Sequence, residues 1–394
     1  MKVLVATTCT PDDRKTVACV RSLRAGGAVA DVGGDRFLGQ AFHSRHMRRR
    51  VLLPHPKLGA RSYVDAINRY ASEYEWNVVL PTNDYTTQAL VEHRERLDPV
   101  LATALPAPEP FTLSRDKLRT AELARGLGLN APATFAPRRE AEALEAGGAV
   151  GFPCVVKLRR GAGSVGRLYI TNRHELLAAF RAPRPPSDPV FDFESLLVQE
   201  FVDGVPEDVC ALFAHGEPRS AYTQRRVRTW PVDGGMGVVM ESTHNPALLE
   251  QGLTLMKALR WHGPIQAEFK VDRKTGKAYL LEINGRLWGA LGLSTEIGLD
   301  FPLWTCRLAA DADIPACFQY RAGVRMRWPL PFAFLSAYRS PDGLTVLRDF
   351  FEPRPDTCSD VRWSDPGPLI AETAYAARRG WDRMWRTWRP SFSC

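Results

Sequence analysis

A chain of 394 residues with 45% hydrophobic side chains is long enough for two or three packed domains and too apolar to be a disordered tail. Its longest apolar stretches, such as Val78 to Pro81 and Ala278 to Leu281, fall far short of the roughly 20 residues a bilayer span needs, so no membrane segment is expected. The net charge of +8 would suit nucleic acid, but the arginines are scattered and no nucleic-acid motif accompanies them, so an anionic small-molecule substrate explains the excess equally well.

Val3 to Ala6 form an apolar run that stops at polar Thr7, which reads as a buried strand and not a secretory signal, so a cytoplasmic location is expected. Residues 14 to 26 read as a helix, Ala28 to Val32 as a second strand, Tyr63 to Glu75 as a helix, Asn77 to Pro81 as a strand and Tyr85 to Leu97 as a helix. This alternation marks a parallel α/β sheet. The proline-rich segment 103 to 111 interrupts regular structure, and a helix follows from Ser114, whose hydroxyl could cap it, to about Arg125. Short strands come next at 152 to 158 and 167 to 171, then a helix from Arg173 to Phe180 and a second proline-rich loop at 181 to 189. Long β runs around a helix at 246 to 260 then suggest an antiparallel sheet. The eight cysteines show no C-x-x-C pair and no zinc-like spacing, so free thiols are expected.

The most informative segment is residues 263 to 286, where two β runs flank a turn-forming Asp272-Arg273-Lys274-Thr275-Gly276. A hairpin centred on Thr275 sets Glu268 opposite Glu282, and strand alternation brings Asn284 to the same face. Two like charges held together are costly unless a cation lies between them, and hard oxygen donors of this kind suit Mg²⁺. The competing reading is a solvated hairpin face, with Ile265, Ala267, Phe269, Leu281 and Ile283 facing the core. Upstream, Lys157 precedes Gly161, Gly163 and Gly166 between two strands, which fits neither a dinucleotide fold nor a P-loop. It reads either as a structural turn or as a mobile hairpin closing over phosphates through backbone N–H groups. Arg226 and Arg228 would share one strand face, either as a two-point fork for a substrate carboxylate or as solvated surface. Trp230, Trp288 and Leu291 could fringe a pocket or lie in the core.

Taken in order, Ser114-Arg115-Asp116-Lys117, the strand 153 to 157 with its glycine loop, the segment 198 to 208 and the hairpin 267 to 286 resemble the ATP-grasp superfamily over roughly residues 1 to 310. The resemblance implies an α/β and α+β architecture, with a Rossmann-like N-terminal domain at 1–110 and a central segment with the lid subdomain at 111–196. An antiparallel-sheet catalytic body with the metal site follows at 197–312, and an extension without assigned role at 313–394. It implies Lys117, Lys157, Gly163 and Ser164 at ATP phosphates, a hinge of Glu200, Phe201 and Val202 against adenine, and Glu207 at ribose with Asp208 as competitor. Glu268, Glu282 and Asn284 match metal ligands for Mg²⁺, with two ions expected and Mn²⁺ as a substitute, and Arg286 matches the arginine that steadies the transferred phosphate. Gly285 replaces a proline common at that position, a change expected to loosen the backbone. The implied activity is ATP-dependent carboxylate–amine ligation through an acyl phosphate, with small-molecule carboxylate and amine substrates, no nucleic-acid or membrane partner, and a homodimer as in similar enzymes. A carboxylase or a kinase-like phosphoryl transfer is the same-fold rival, and a non-catalytic nucleic-acid-binding or scaffold protein the rival of another class.

Overall fold

The computed structural model describes residues 1–8, 13–163, 165–230, 235–340 and 342–379. Cys9, Ser164, Gly234 and Cys394 lie outside them. β1 (Lys2–Ala6), β2 (Val29–Gly34), β3 (Arg50–Leu52) and β4 (Val78–Pro81) form a parallel sheet in the order β3-β2-β1-β4. It is packed by α1 (Arg14–Ala25), α2 (Ala60–Tyr74) and α3 (Asp84–Glu92). Alternation along β1 divides its side chains between two cores, Val3 and Val5 in one and Leu4 and Ala6 in the other, and all four are fully buried. At the carboxyl end of β4 the Asn83 side chain accepts from the Thr86 N–H at 3.1 Å, while the Thr86 hydroxyl accepts from the Asn83 N–H at 3.3 Å. This capping box starts α3 and sets Asp84 in its first turn. The helix ends at Glu92, earlier than the Leu97 expected, and a 3₁₀ turn at Arg94–Arg96 follows.

Two expectations around the first proline-rich segment are corrected. The prolines do not exclude a helix, because α4 (Pro108–Ser114) starts with one at a position where its missing N–H costs nothing. Nor does Ser114 cap the next helix: it ends α4, and Asp116 caps α5 (Lys117–Gly126) by accepting from the N–H groups of Leu118 and Arg119 at 3.2 and 3.3 Å.

β5 (Thr134–Phe135), α6 (Glu140–Val150), β6 (Cys154–Leu158), β7 (Leu168–Ile170), α7 (Arg173–Arg181) and β8 (Leu196–Glu200) make a small antiparallel unit ordered β5-β8-β6-β7. It has its own core, which includes Val156, Leu176 and Val198.

The body contains β9 (Gly204–Ala214), β10 (Glu217–Trp230), β11 (Met236–Thr243), α8 (Pro246–Ala258), β12 (Gly263–Asp272), β13 (Ala278–Asn284), α9 (Leu291–Glu296) and α10 (Phe301–Ala309). Beyond these come β14 (Arg325–Arg327), α11 (Phe332–Arg339), α12 (Gly343–Phe351), β15 (Thr357–Ser359) and α13 (Gly367–Arg379). The seven strands run β13-β12-β9-β10-β11-β14-β15, so chain beyond residue 313 continues the body sheet. α8 lies so close to β9 that a Cβ on Gly252 would fall 2.7 Å from Val209. Both larger cores draw residues from the N-terminal sheet and the body together; one of them also takes Trp328, Phe332 and Phe350. Among the described residues no helix is long and apolar enough to cross a membrane, and Cys19, Cys154, Cys210, Cys306, Cys317 and Cys358 are free thiols.

Candidate active site

The hairpin register places Glu268 opposite Glu282 and Gln266 opposite Asn284. On the other side of β12, Asp208 of β9 faces Glu268, and Gln224 of β10 faces Asp208. Four neighbouring strands thus carry one polar row, Glu282, Glu268, Asp208 and Gln224, across a single sheet face. A bulge after Glu268 pairs Phe269 with Leu280. The core position expected for Leu281 therefore belongs to Leu280, and Leu281 lines the cleft instead, its carbonyl accepting from Lys157 Nζ at 3.2 Å.

Basic groups neutralise this row. Arg226 forms an ion pair with Glu268 and lies 3.4 Å from Asp208, and Lys117 Nζ lies 3.3 Å from Glu282. Asn284 donates to Glu268 at 2.9 Å and to Gln266 at 3.2 Å. Burial pushes the Glu268 and Asp208 carboxyls up, Arg226 opposing and the neighbouring carboxylates adding to the rise. Burial acts on Glu282 in the same sense, but Lys117 and Lys157 outweigh it and hold that carboxyl below its ordinary range. Lys157 is buried beside Lys117, and its ammonium falls to about 7.

The donor set is carboxylate and amide oxygen on one rigid face, which is the chemistry Mg²⁺ takes. Among the described residues no group of three or more His, Cys, Asp or Glu side chains converges into a ready metal cage. Arg226, Lys117 and Asn284 hold the oxygens a cation would use. The oxygens of these residues fit a divalent cation, which would have to displace these partners.

A cavity of about 360 Å³ runs from this row to the lid. Its far end is formed by Tyr169, Phe201 and Val202, with the rings of Tyr169 and Phe201 edge to face at 5.9 Å. Lys270 Nζ lies 5.0 Å from the Phe201 ring and donates to the Val202 carbonyl at 2.9 Å. Glu200 also lines the cavity, with its carboxylate accepting from the Ala133 N–H at 3.0 Å. Lys117 donates to the Gly161 carbonyl at 2.9 Å, tying the glycine loop to the acidic row. A smaller chamber of about 160 Å³ shares Arg226, Glu268 and Glu282 with the first and adds Gly163, Asn284, Arg286, Arg14 and Lys15. There Arg286 Nε donates to Asp84 at 2.7 Å, so the first turn of α3 orients the arginine just beyond β13.

Several expected residues stand elsewhere. Glu207 points from the opposite face of β9 and accepts from Asn245 at 3.1 Å, whereas Asp208 belongs to the acidic row. Arg226 and Arg228 both line the larger cavity, but the strand bulges between them, Arg226 turns to Glu268 and Asp208, and Arg228 donates from Nε to Asp349 of α12 at 3.0 Å. Trp230, Trp288 and Leu291 are core residues. Gly285 is packed, not loose, since a Cβ there would fall 2.6 Å from the Trp261 ring.

Sequence reasoning missed Asp84, Gln224, Lys270 and the α1 residues Arg14 and Lys15. Lys270 had a signal, because it lies two residues from Glu268 and so on the same strand face. Asp84 had another, as an acid opening a helix just after a parallel strand, at the sheet edge where α/β folds bind ligands. Nothing in the sequence announced Gln224, whose position depends on the β9–β10 register.

This geometry, with a lid sheet folded over an antiparallel body beside a parallel N-terminal sheet, defines an ATP-grasp fold. Residues 192–329 match the family described as "ATP-grasp in the biosynthetic pathway with Ter operon". The biotin carboxylase domain dimer of Hydrogenobacter thermophilus 2-oxoglutarate carboxylase, solved with MgADP and bicarbonate, superposes with a TM-score of 0.62 at 16% identity, covering 82% of this chain and 73% of that one. L-Amino acid ligase from Bacillus licheniformis superposes with a TM-score of 0.58 at 18% identity, covering 78% and 74%. In sequence, methylcrotonoyl-CoA carboxylase subunit alpha of Rattus norvegicus is 27% identical over 183 residues, which are 43% of this chain but only 25% of that subunit. Residues 192–329 thus match an ATP-grasp family, and the chain shares its fold with ligases and carboxylases.

Proposed function

We propose that this protein is an ATP-dependent carboxylate–amine ligase. The observation that carries the reading is the facing pair Glu268 and Glu282, set between Lys117, Lys157 and Arg286 where the cleft meets the N-terminal sheet. In this reading Glu268, Glu282 and Asn284 would hold two Mg²⁺ ions, for which Mn²⁺ could substitute, and the metal would supply charge neutralisation for the nucleotide phosphates. The apolar end of the cleft at Phe201 and Val202 takes the adenine, and Lys157 and the glycine loop cover the phosphates.

A substrate carboxylate oxygen attacks the γ-phosphorus, the bond from phosphorus to the ADP oxygen breaks, and an acyl phosphate forms. An amine then attacks the acyl carbon; phosphate leaves and the nitrogen loses a proton. The protein contributes positioning and charge stabilisation rather than a nucleophile: Arg286, fixed by Asp84, faces the transferred phosphoryl group. Closure by the lid keeps water from the intermediate. The segments 1–110, 111–196 and 197–312 supply the three walls of this site, and a cytoplasmic location belongs to the same reading.

Carboxylation through carboxyphosphate is a second reading, favoured by the carboxylase names among the relatives. The deciding experiment measures ADP and phosphate release from MgATP with single carboxylates, amines and bicarbonate, with hydroxylamine as a trap. Ligation requires release that depends on an organic carboxylate and yields its hydroxamate. Release driven by bicarbonate alone selects carboxylation, and absence of nucleotide binding overturns both.

A further inference from the structure

Within the segment Ser114-Arg115-Asp116-Lys117, Lys117 reaches the acidic row, and Asp116 caps α5 and holds Arg159. Arg115 turns elsewhere: its guanidinium donates to the Val190 carbonyl at 2.6 Å and to the Gln88 side chain of α3. It thus ties the loop between α7 and β8 to a helix of the N-terminal domain. A second tie joins the same two segments. The Tyr85 hydroxyl donates to the Asp188 carboxylate, at 2.9 and 3.1 Å from its two oxygens, and that carboxylate also accepts from the Val190 and Phe191 N–H groups at 2.8 and 3.3 Å. Asp188 therefore folds residues 188–191 into a turn and holds that turn on α3.

The turn reaches the phosphate end of the cleft. Tyr85 has the Phe191 ring at 6.3 Å between centroids and the His55 ring at 4.8 Å. Phe191 also packs on Gly161 at the root of the glycine loop, where a Cβ would fall 3.2 Å from the ring. On α3 the residue before Tyr85 is Asp84, which accepts from Arg286 Nε at 2.7 Å. Successive residues leave a helix about 100° apart, so one turn presents Tyr85 to the lid loop and Asp84 to the body. The capping box of Asn83 and Thr86 locks that turn. Burial would raise the Asp84 carboxyl, but Arg286 and then Arg115 hold it below its ordinary range. Glycine loop, Phe191, Tyr85, Asp84 and Arg286 thus form one contiguous path of packed, bonded and hydrogen-bonded groups.

We propose that Tyr85 and Arg115 are positioning residues for phosphoryl transfer: the seating of residues 188–191 on α3 fixes Asp84, and through it Arg286, as the glycine loop closes over the nucleotide. The inference rests on the ligase reading, which sets Arg286 at the transferred phosphoryl group. Neither Tyr85 nor Arg115 lines either chamber of the cleft, so both act through other groups. A guanidinium stabilises charge in transit only when it is aimed beforehand, and here the aim depends on a helix start that the lid loop also grips. The contact with the γ-phosphate is therefore complete only with residues 188–191 seated. ADP lacks that phosphate and does not sense the path.

The test titrates the full chain with ADP and with the non-hydrolysable β,γ-imido analogue of ATP, each with Mg²⁺, and reads the ratio of the two affinities. The proteins are wild type, Tyr85→Phe, Arg115→Lys, Arg286→Met and the two double variants that include Arg286→Met. Tyr85→Phe keeps the ring and loses the hydroxyl, and Arg115→Lys keeps the charge and loses the fork. Arg286→Met should lower the ratio of analogue to ADP affinity about tenfold or more. Tyr85→Phe and Arg115→Lys should each lower it roughly two- to tenfold, with ADP affinity within about twofold of wild type. Neither should lower it further once Arg286 is methionine, because the path then ends on nothing. An unchanged ratio, an equal loss for both nucleotides, or a loss that adds fully to that of Arg286→Met overturns the coupling. A ratio that Arg286→Met itself leaves unchanged overturns the place of Arg286 at the phosphoryl group, and the coupling with it. The expected ratios without hydroxamate from any carboxylate overturn ligation while the coupling stands.

Discussion

The lid and the body divide the site between two kinds of packing. The lid sheet folds on a small core of its own, whereas the body shares both larger cores with the N-terminal sheet. Glu268, Glu282, Asn284 and Arg286 stand on the shared, rigid side; Lys157, the glycine loop and Glu200 stand on the lid or at its root. Among the described residues, contacts that tie the lid to the rest of the chain include Lys157 to the Leu281 carbonyl of the body, Arg159 to Asp116 before α5 at 2.8 Å and Asp188 to Lys57 of the N-terminal domain at 2.6 Å. Chemistry and closure are thus separable: damage on the body side should cost the reaction, and damage on the lid side should cost affinity and timing.

The widest gap is expected from Glu282→Ala, which removes a charge from the acidic row without removing core packing. ADP release should fall on the order of 10²–10³-fold, in line with the loss of one preorganised electrostatic group. The thermal unfolding midpoint should stay near wild type, and retained activity would remove Glu282 from the metal set. Lys157→Met should act in the opposite pattern. Losing a charge-assisted contact of about 1.5–3 kcal/mol weakens ADP binding roughly 10- to 100-fold. Stability should nevertheless rise, because burial beside Lys117 depresses the folded-state ammonium to about 7, against an ordinary value of about 10.4. Below pH 7 Lys157 is charged in both states and the penalty is full; as pH rises from 7 towards 10 the folded protein releases the proton and the penalty fades. The stabilisation of the variant should therefore be greatest below pH 7. Phosphate binding restores the charge, so wild-type protein should take up close to one proton with ADP at pH 8 and little at pH 6. Calorimetry in buffers of different ionisation heat measures it.

Much of the body was legible because a hairpin turns sequence spacing directly into facing pairs. Glu268 and Glu282 met as counted from Thr275, and the parallel N-terminal sheet followed from apolar runs alternating with helical periods. What remained hidden depends on register beyond the hairpin. A single bulge replaced Leu281 with Leu280 in the core, and the phase of β9 decided that Asp208 and not Glu207 joins the acids. Contacts between distant segments were invisible for the same reason: Asp84 is 202 residues from the arginine it orients. The helix α6 was missed in a stretch with a weak apolar pattern, and the strands and helices beyond residue 313 carried no motif.

Packing offers the next test of the same division. Gly252→Ala puts a methyl against Val209 and should destabilise the protein by about 1–3 kcal/mol through overpacking, partly offset by the better helix propensity of alanine. Because α8 covers the shared core, this loss should appear as one cooperative shift in denaturant unfolding.

Asp188→Asn should give the smallest effect and the most local one. In the loop after α7 the Asp188 carboxylate accepts from Tyr85 at 2.9 Å, pairs with Lys57 of the N-terminal domain and is nearly inaccessible to solvent. Burial would raise its pKa, but Lys57 and the N–H of Val190 hold it below the ordinary range, so the ionised form is the one that fastens the lid. An amide keeps the shape and loses the charge, and since Lys57 is about half exposed the pair is worth no more than about 1 kcal/mol. Global stability should barely move. If the lid is a separate unit, amide hydrogen exchange should quicken severalfold in β7, α7 and the following loop and remain unchanged in β9 and β12. Equal acceleration in the body would show that lid and body open together, and the division drawn from their cores would fail.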